Sequence, residues 1–252
     1  MSATTQTRPP RLAVRVPPRA ARTRDVEQLR TLAEAGAREL ADADADTIAQ
    51  WAADTFPGSL AVACSMSDAV LPHVISQRAP GVDVLFLDTG YHFSDTLITR
   101  DIVAEQLDVR IVDVRPRLTV AQQDDAYGKD LFARDPGACC RMRKVEPLAE
   151  ALTGYEAWAT GVRREEGPTR AHTPVVTFDE THGLVKINPL AGWSHEEVLS
   201  YAARHRVPVN LLATHGYPSI GCEPCTRPVA EGEDPRAGRW VGFAKTECGI
   251  HT

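Results

Sequence analysis

SLAVACSMSDAVLPHVISQ (59–77) followed after four residues by VDVLFLD (82–88) decides the fold. SLAVACS (59–65) and VDVLFLD are short, nearly continuous apolar runs, the pattern of strands buried on both faces. DAVLPHVISQ (68–77) between them reads as a helix in spite of Pro72, and two buried strands joined by a helix form a parallel crossover unit. The alternation continues outward. FSDTLITRDIVAEQL (93–107) predicts a helix, VRIVDV (109–114) a strand, residues from about 139 to 153 a helix, and YEAWATG (155–161) a strand ending at glycine. TPVVTF (173–178) and LVKINP (184–189) suggest a hairpin, and SHEEVLSYAARHR (194–206) a helix with Ser194 as N-cap and Glu197 completing a capping box. Upstream, residues 25–55 repeat Leu, Ala and Trp at helical spacing, which predicts one or two amphipathic helices. The fold class is α/β, a parallel, doubly wound sheet with helices on both faces. Ligands of such sheets lie beyond the carboxyl ends of the strands, where CSMSD, LDTGYHF and TGVRREEGPTR fall.

Composition narrows the function. The chain has 252 residues, 43% apolar and 25% charged, enough for one α/β domain with its own core. No run of eighteen apolar residues exists, so no membrane span is expected. The first 24 residues hold six arginines, four prolines and no acidic residue, and lack the apolar centre of a secretory signal. They read as a disordered basic lead (1–24) before a single domain (25–240) and a mobile tail (241–252). Beyond the lead stand 22 basic against 34 acidic residues, a net charge of about −12 that disfavours nucleic acid as a partner. Any anionic ligand must therefore meet cations gathered locally.

Six cysteines stand at 64, 139, 140, 222, 225 and 248. Without a secretory signal the expected compartment is the reducing cytoplasm, so the thiols point to metal or catalysis rather than to disulfides. CCRMRK (139–144) and CEPC (222–225) supply four thiols, the number that a tetrahedral zinc or a four-iron cluster requires. Adjacent cysteines are unusual for zinc, whereas a cubane offers separate iron corners, so the spacing favours iron and sulfide, with zinc as the alternative and a disulfide or an inert buried pair ranked below both. The last thiol, in KTECGIHT (245–252), lies four residues from the terminus. A thiol on a mobile end packs nothing, so it is either incidental or there for its chemistry.

The ordered combination of LDTGYHF, CC with its basic run, GYPSIGCEPCTRPV, RAGRW and a terminal ECGIH resembles the assimilatory adenylyl-sulfate (APS) reductases of the bacterial type, within the wider APS/PAPS reductase family. The similarity runs from about residue 59 to the end. It implies an adenine-nucleotide α-hydrolase-like sheet, one [4Fe-4S] cluster per subunit, and reduction of APS to sulfite and AMP with thioredoxin as electron donor, in assimilation of sulfate towards cysteine. By the resemblance the cluster ligands are Cys139, Cys140, Cys222 and Cys225, and the nucleophile is Cys248. The substrate cations are Lys144, Arg236, Arg239 and His251, Arg170 belongs to a mobile active-site loop, and Leu87 and Thr89 hold the adenine. From spacing alone, Lys144, Arg236 and Arg239 read as surface charges and His251 as a loose end. Relatives that hydrolyse ATP carry an SGGxDS-like loop after the first strand; Ser65 and Met66 stand there in place of glycines, which argues against a triphosphate grip. A nucleotidyl-transfer enzyme, a PAPS reductase and a non-catalytic iron–sulfur redox sensor are the rival readings.

Overall fold

The computed structural model describes residues 22–251. Residues 1–21 of the basic lead and Thr252 of the tail lie outside them. Two helices open the fold, α1 (Val26–Glu39) and α2 (Ala45–Thr55), each started by an aspartate, Asp25 or Asp44, whose carboxylate accepts a backbone N–H of the first turn. Strand β1 (Leu60–Ala63), helix α3 (Val70–Ser76), strand β2 (Val82–Leu87), helix α4 (Ser94–Gln106) and strand β3 (Val109–Val114) follow the alternation expected from the apolar runs. Three short helices, α5 (Val120–Tyr127), α6 (Leu131–Arg134) and α7 (Pro136–Cys140), then lead into a π-helical turn, Arg141–Val145, and helix α8 (Glu146–Leu152). The helix expected at 139–153 is thus interrupted by a wider turn at its basic run. Strand β4 (Ala157–Thr160), the hairpin β5 (Val176–Asp179) and β6 (Leu184–Ile187), and helix α9 (His195–His205) complete the regular structure. Ser194 caps α9, and Glu197 closes the capping box.

The six strands form one sheet in the order β3-β2-β1-β4-β6-β5. Every pairing is parallel except that of β5 with β6. Chain order runs one way from β1 through β2 to β3 and the other way from β1 to β4, so a crevice opens where the two directions part, at the carboxyl ends of β1 and β4. Alternation along the strands divides the core into two layers. Leu60, Val62, Ala157 and Ala159 face one side, with α1, α2, α3 and α9; Ala61 and Trp158 face the other, with Leu148, Leu152 and Tyr155. At about 25 cal/mol per Å2 of apolar surface, these layers are the main favourable contribution to folding.

Residues 22–24 depart from the expected disordered lead. Thr23 N and Arg24 N donate to Glu156 Oε1 at 2.7 and 2.8 Å, and Arg24 Nη1 lies 2.6 Å from Glu156 Oε2. Arg22 Nη1 donates to the Gly183 carbonyl at 2.7 Å. Glu156 is 1% exposed, and a buried carboxylate needs such donors, so this stretch is fastened to the sheet. Among the described residues no helix is long and apolar enough to cross a membrane.

Candidate active site

Four thiols meet in one pocket. Cys139 and Cys140, at the end of α7, are buried, and Cys222 and Cys225 come from a loop eighty residues later. All four line a pocket walled by Tyr91, Phe132, Pro136, Pro224 and Trp240. The second pair is held there by backbone pairing: Glu223 N donates to Tyr91 O at 2.7 Å, and Trp240 N to Cys225 O at 3.1 Å. The LDTGYHF loop, CEPC and RAGRW are thereby tied to one another. Burial, then repulsion among the sulfurs, pushes the Cys139 thiol up to about 12; the same causes, in the same order, push Cys225 up to about 11. Among the described residues no three His, Cys, Asp or Glu side chains are arranged to hold a single metal ion. Four thiols lining one pocket are a donor set that could hold an iron–sulfur cluster or a zinc ion.

Arg143, in the π turn, braces this pocket from behind. Only 3% exposed, it donates from Nε to Thr89 O at 2.5 Å and from Nη1 to Gln123 Oε1 at 3.0 Å. Thr89 Oγ1 in turn lies 3.3 Å from Cys222 Sγ.

Beside the pocket, over the carboxyl ends of β1 and β4, lies a cleft of about 1570 Å3, part of it open to solvent. Its lining includes Leu87, Lys144, Arg170, Arg236, Arg239, Cys248 and His251. Lys144, Arg239 and Trp240 line both the cleft and the thiol pocket, so they form the partition between them. Neither Lys144 nor Arg239 pairs with a carboxylate among the described residues. Burial works to lower the Lys144 pKa, but the Cys222 and Cys248 sulfurs outweigh it and leave the pKa above the ordinary lysine value. Arg239 is lowered by burial and by neighbouring Arg236. Its Nη1 lies 3.2 Å from Ser219 Oγ, while its Nε is buried without a partner. Arg163 Nε and His251 Nδ1, also on the cleft wall, are unpartnered too. Buried polar atoms without partners are costly, and the residues that carry these three line one cleft. Gly221 is required by the partition, since a Cβ there would collide with the Arg239 guanidinium.

The terminal segment closes the cleft. Gly249, at φ 90°, takes a left-handed turn that other residues resist. On one side of that turn Cys248 faces the cleft; on the other, Ile250 packs on the layer of Trp158 and Leu148. The His251 ring stacks on Trp158 at 5.9 Å and 16°. Burial, then the nearby cations Lys186, Arg170 and Arg236, lowers His251 to about 3, against an opposing pull from Glu247. A histidine depressed below its ordinary 6.5 stabilises the docked tail fully above pH 6.5, and this contribution is lost as pH falls towards 3. The loss amounts to about 1.4 kcal/mol per pH unit. Tail docking should therefore weaken as pH falls from 7 to 5, seen as faster proteolytic clipping of residues 241–251. A His251→Phe variant should lack that trend.

The expected site residues are assembled with two qualifications. Arg170 and Arg236 reach the cleft already engaged: Arg170 Nε and Nη2 donate to the Glu247 carboxylate at 2.8 and 2.7 Å, and Arg236 Nη2 lies 3.2 Å from Glu247 Oε2. Leu87 lines the cleft, and its carbonyl oxygen lies 2.8 Å from His92 Nε2; Thr89 instead is fully buried and turned towards Cys222. Cys64 is packed at the end of β1, its thiol pushed up to about 12 by burial and then by Asp68. In the loop after β1, Met66 takes φ 60°, a glycine-like turn, with its side chain buried. What the loop offers the cleft is Ser65, Ser67 and the Asp68 carboxylate, a poor lining for a triphosphate. Arg143, Arg163, Trp158 and Glu247 were not singled out from sequence. Arg143, Arg163 and Glu247 each lie within a quoted motif, CCRMRK, TGVRREEGPTR and KTECGIHT, and Trp158 in the predicted strand YEAWATG, but nothing local marks them.

The family described as "Phosphoadenosine phosphosulfate reductase domain" matches residues 59–228. A protein of Mycobacteroides abscessus named adenosine 5'-phosphosulfate reductase is 54% identical over 233 residues, 92% of this chain and 98% of that protein. One of the same name from Streptomyces coelicolor is 57% identical over 228 residues, 90% and 97% of the two chains. Among solved structures, the phosphoadenylyl-sulfate (PAPS) reductase of Candida auris, a phosphate complex, superposes with TM-score 0.66 at 27% identity, covering 82% of this chain and all of that one. The Candida glabrata FMN adenylyltransferase, with TM-score 0.52 and 12% identity over 86% and 73% of the two chains, shares the fold alone. With two thirds of its length matched by the family and relatives more than half identical along nearly all of it, this chain belongs to the phosphoadenosine phosphosulfate reductase domain family.

Proposed function

We propose that this enzyme reduces adenosine 5'-phosphosulfate to sulfite and AMP through an S-sulfonate on Cys248 that thioredoxin releases. The observation that carries the reading is the shared wall: Cys248 faces a cleft whose half-buried cations, Lys144 and Arg239, also border the pocket of four thiols. Relatives more than half identical are named for this activity. The reaction belongs to sulfate assimilation, and the setting proposed is the reducing cytoplasm.

In the first step the Cys248 thiolate attacks the sulfur of the sulfate group. A sulfur–sulfur bond forms, the sulfur–oxygen bond to phosphate breaks, and AMP leaves with the electron pair. Lys144 and Arg239 hold the charge that spreads over the phosphosulfate, and arginine suits this because its planar fork donates paired, charge-assisted hydrogen bonds. In the second step a thiolate of reduced thioredoxin attacks Cys248 Sγ and expels sulfite; its second thiol resolves the mixed disulfide and restores Cys248. The dithiol supplies both electrons. Cys139, Cys140, Cys222 and Cys225 would hold a [4Fe-4S] cluster, which supplies a fixed local charge beside Lys144 and ties the two cysteine segments together.

The test is sulfite release from APS, and from its 3'-phosphorylated form, by anaerobically purified protein with reduced thioredoxin, alongside assay of iron and acid-labile sulfide. APS should be the strongly preferred substrate, with four irons per chain. Preference for the 3'-phosphorylated nucleotide, pyrophosphate release from ATP, or a zinc-loaded protein would each contradict part of the reading.

A further inference from the structure

The cations of the cleft fall into two classes. Lys144 and Arg239 pair with no carboxylate among the described residues, and Arg239 Nε is a buried donor without an acceptor. Arg170 and Arg236 are already neutralised. Glu247, next to the nucleophile, accepts from Arg170 Nε at 2.8 Å, from Arg170 Nη2 at 2.7 Å and from Thr169 Oγ1 at 3.2 Å. Arg236 Nη2 closes the other side, 3.2 Å from Glu247 Oε2 and 2.7 Å from Thr246 O. The remaining nitrogen of Arg170, Nη1, is held by Glu166 at 2.7 Å. The Arg170 and Glu247 side chains are only 12% and 13% exposed, so this network is sheltered from screening by solvent. Arg163 Nη2 also lies 3.8 Å from Glu166 Oε1, so two carboxylates serve three guanidinium groups, while the partition next to it keeps both of its cations unpaired.

We propose that Glu247 is a positioning residue, the latch by which Arg170 and Arg236 hold the terminal segment over the cleft with Cys248 towards the substrate. The proposal rests on the APS reductase reading for its catalytic consequence only. The latch grips one residue before the nucleophile, and the left-handed turn at Gly249 and the stack of His251 on Trp158 fix the residues after it. Cys248 is thus held from both sides. The grip consists of ion pairs rather than apolar burial, so it can open when thioredoxin must reach the sulfonate.

Glu247→Gln keeps the shape and removes the charge, and two measurements read its effect. Without substrate, iodoacetamide labelling of Cys248, followed by mass spectrometry of the terminal peptide, should be about tenfold faster than in the parent, the scale of losing one sheltered charge-assisted fork. With saturating APS and no reductant, S-sulfonate formation in a single turnover should slow by about tenfold, while AMP binds as before. Glu247→Asp, which keeps the charge on a shorter arm, should recover part of both. Unchanged labelling would overturn the latch. Tighter APS binding with faster sulfonation in Glu247→Gln would also overturn it, because Glu247 would then be competing with the substrate. If the parent protein itself forms no S-sulfonate, the functional reading fails, and the labelling comparison still decides the latch.

Discussion

Cys248→Ser is expected to abolish sulfite production, by at least about 10^3-fold, while fold, cluster content and AMP binding stay at parental levels. The reacting species must be an anionic sulfur, and a serine hydroxyl is almost wholly protonated at neutral pH and forms no sulfur–sulfur bond for thioredoxin to cleave. The substitution alters one atom on a partly exposed residue of the terminal segment, outside both core layers, so stability should change by less than about 0.5 kcal/mol. Steady-state sulfite assays, with AMP binding by calorimetry as the control for folding, provide the check. Residual activity within tenfold of the parent would move the nucleophile elsewhere. Cys64 is a poor substitute, because burial holds its thiol up at about 12.

Lys144→Ala should have the next largest effect, a fall in single-turnover S-sulfonate formation of about 10^2- to 10^3-fold, the range for removing one preorganised charge from the transition state. Lys144 is half-buried in the wall shared by thiol pocket and cleft, and the sulfurs around it keep its pKa above the ordinary value, so it stays charged across the working pH range. Lys144→Arg should restore only part of the rate, because a planar fork does not fill the place of a compact ammonium. Neighbouring Arg143 serves as the contrast. Its guanidinium is spent on Thr89 O and Gln123, so Arg143→Lys should reduce stability and cluster retention before it affects sulfur transfer in intact protein.

The parallel sheet was legible because its strands are buried on both faces and so appear as unbroken apolar runs, as in VDVLFLD, where β2 lies within one residue of the expected bounds. The cap of α9 was legible because Ser194 and Glu197 satisfy amides within their own turn. Helices α5 and α6 had no counterpart in the sequence reading. VAQQDDAY buries only Gln123 and so offers no apolar stripe. Nor could spacing show that Lys144 and His251 line the cleft. That depends on chain segments a hundred residues apart folding over them, and for these two residues only the resemblance pointed to the site. Local spacing was equally silent on Glu247, whose meaning comes from Arg170, 77 residues away. The contact of the Thr89 side chain with Cys222 was likewise not legible, since the two lie 133 residues apart.

The central claim is that sulfur transfer starts at Cys248. Its most direct test is to mix the purified protein with 35S-labelled APS in the absence of any reductant, digest it, and map the label by mass spectrometry. The account predicts one sulfonate per chain, on the terminal peptide containing Cys248, discharged as labelled sulfite when reduced thioredoxin is added. Label on another cysteine, or sulfite formed with no covalent adduct, would contradict it.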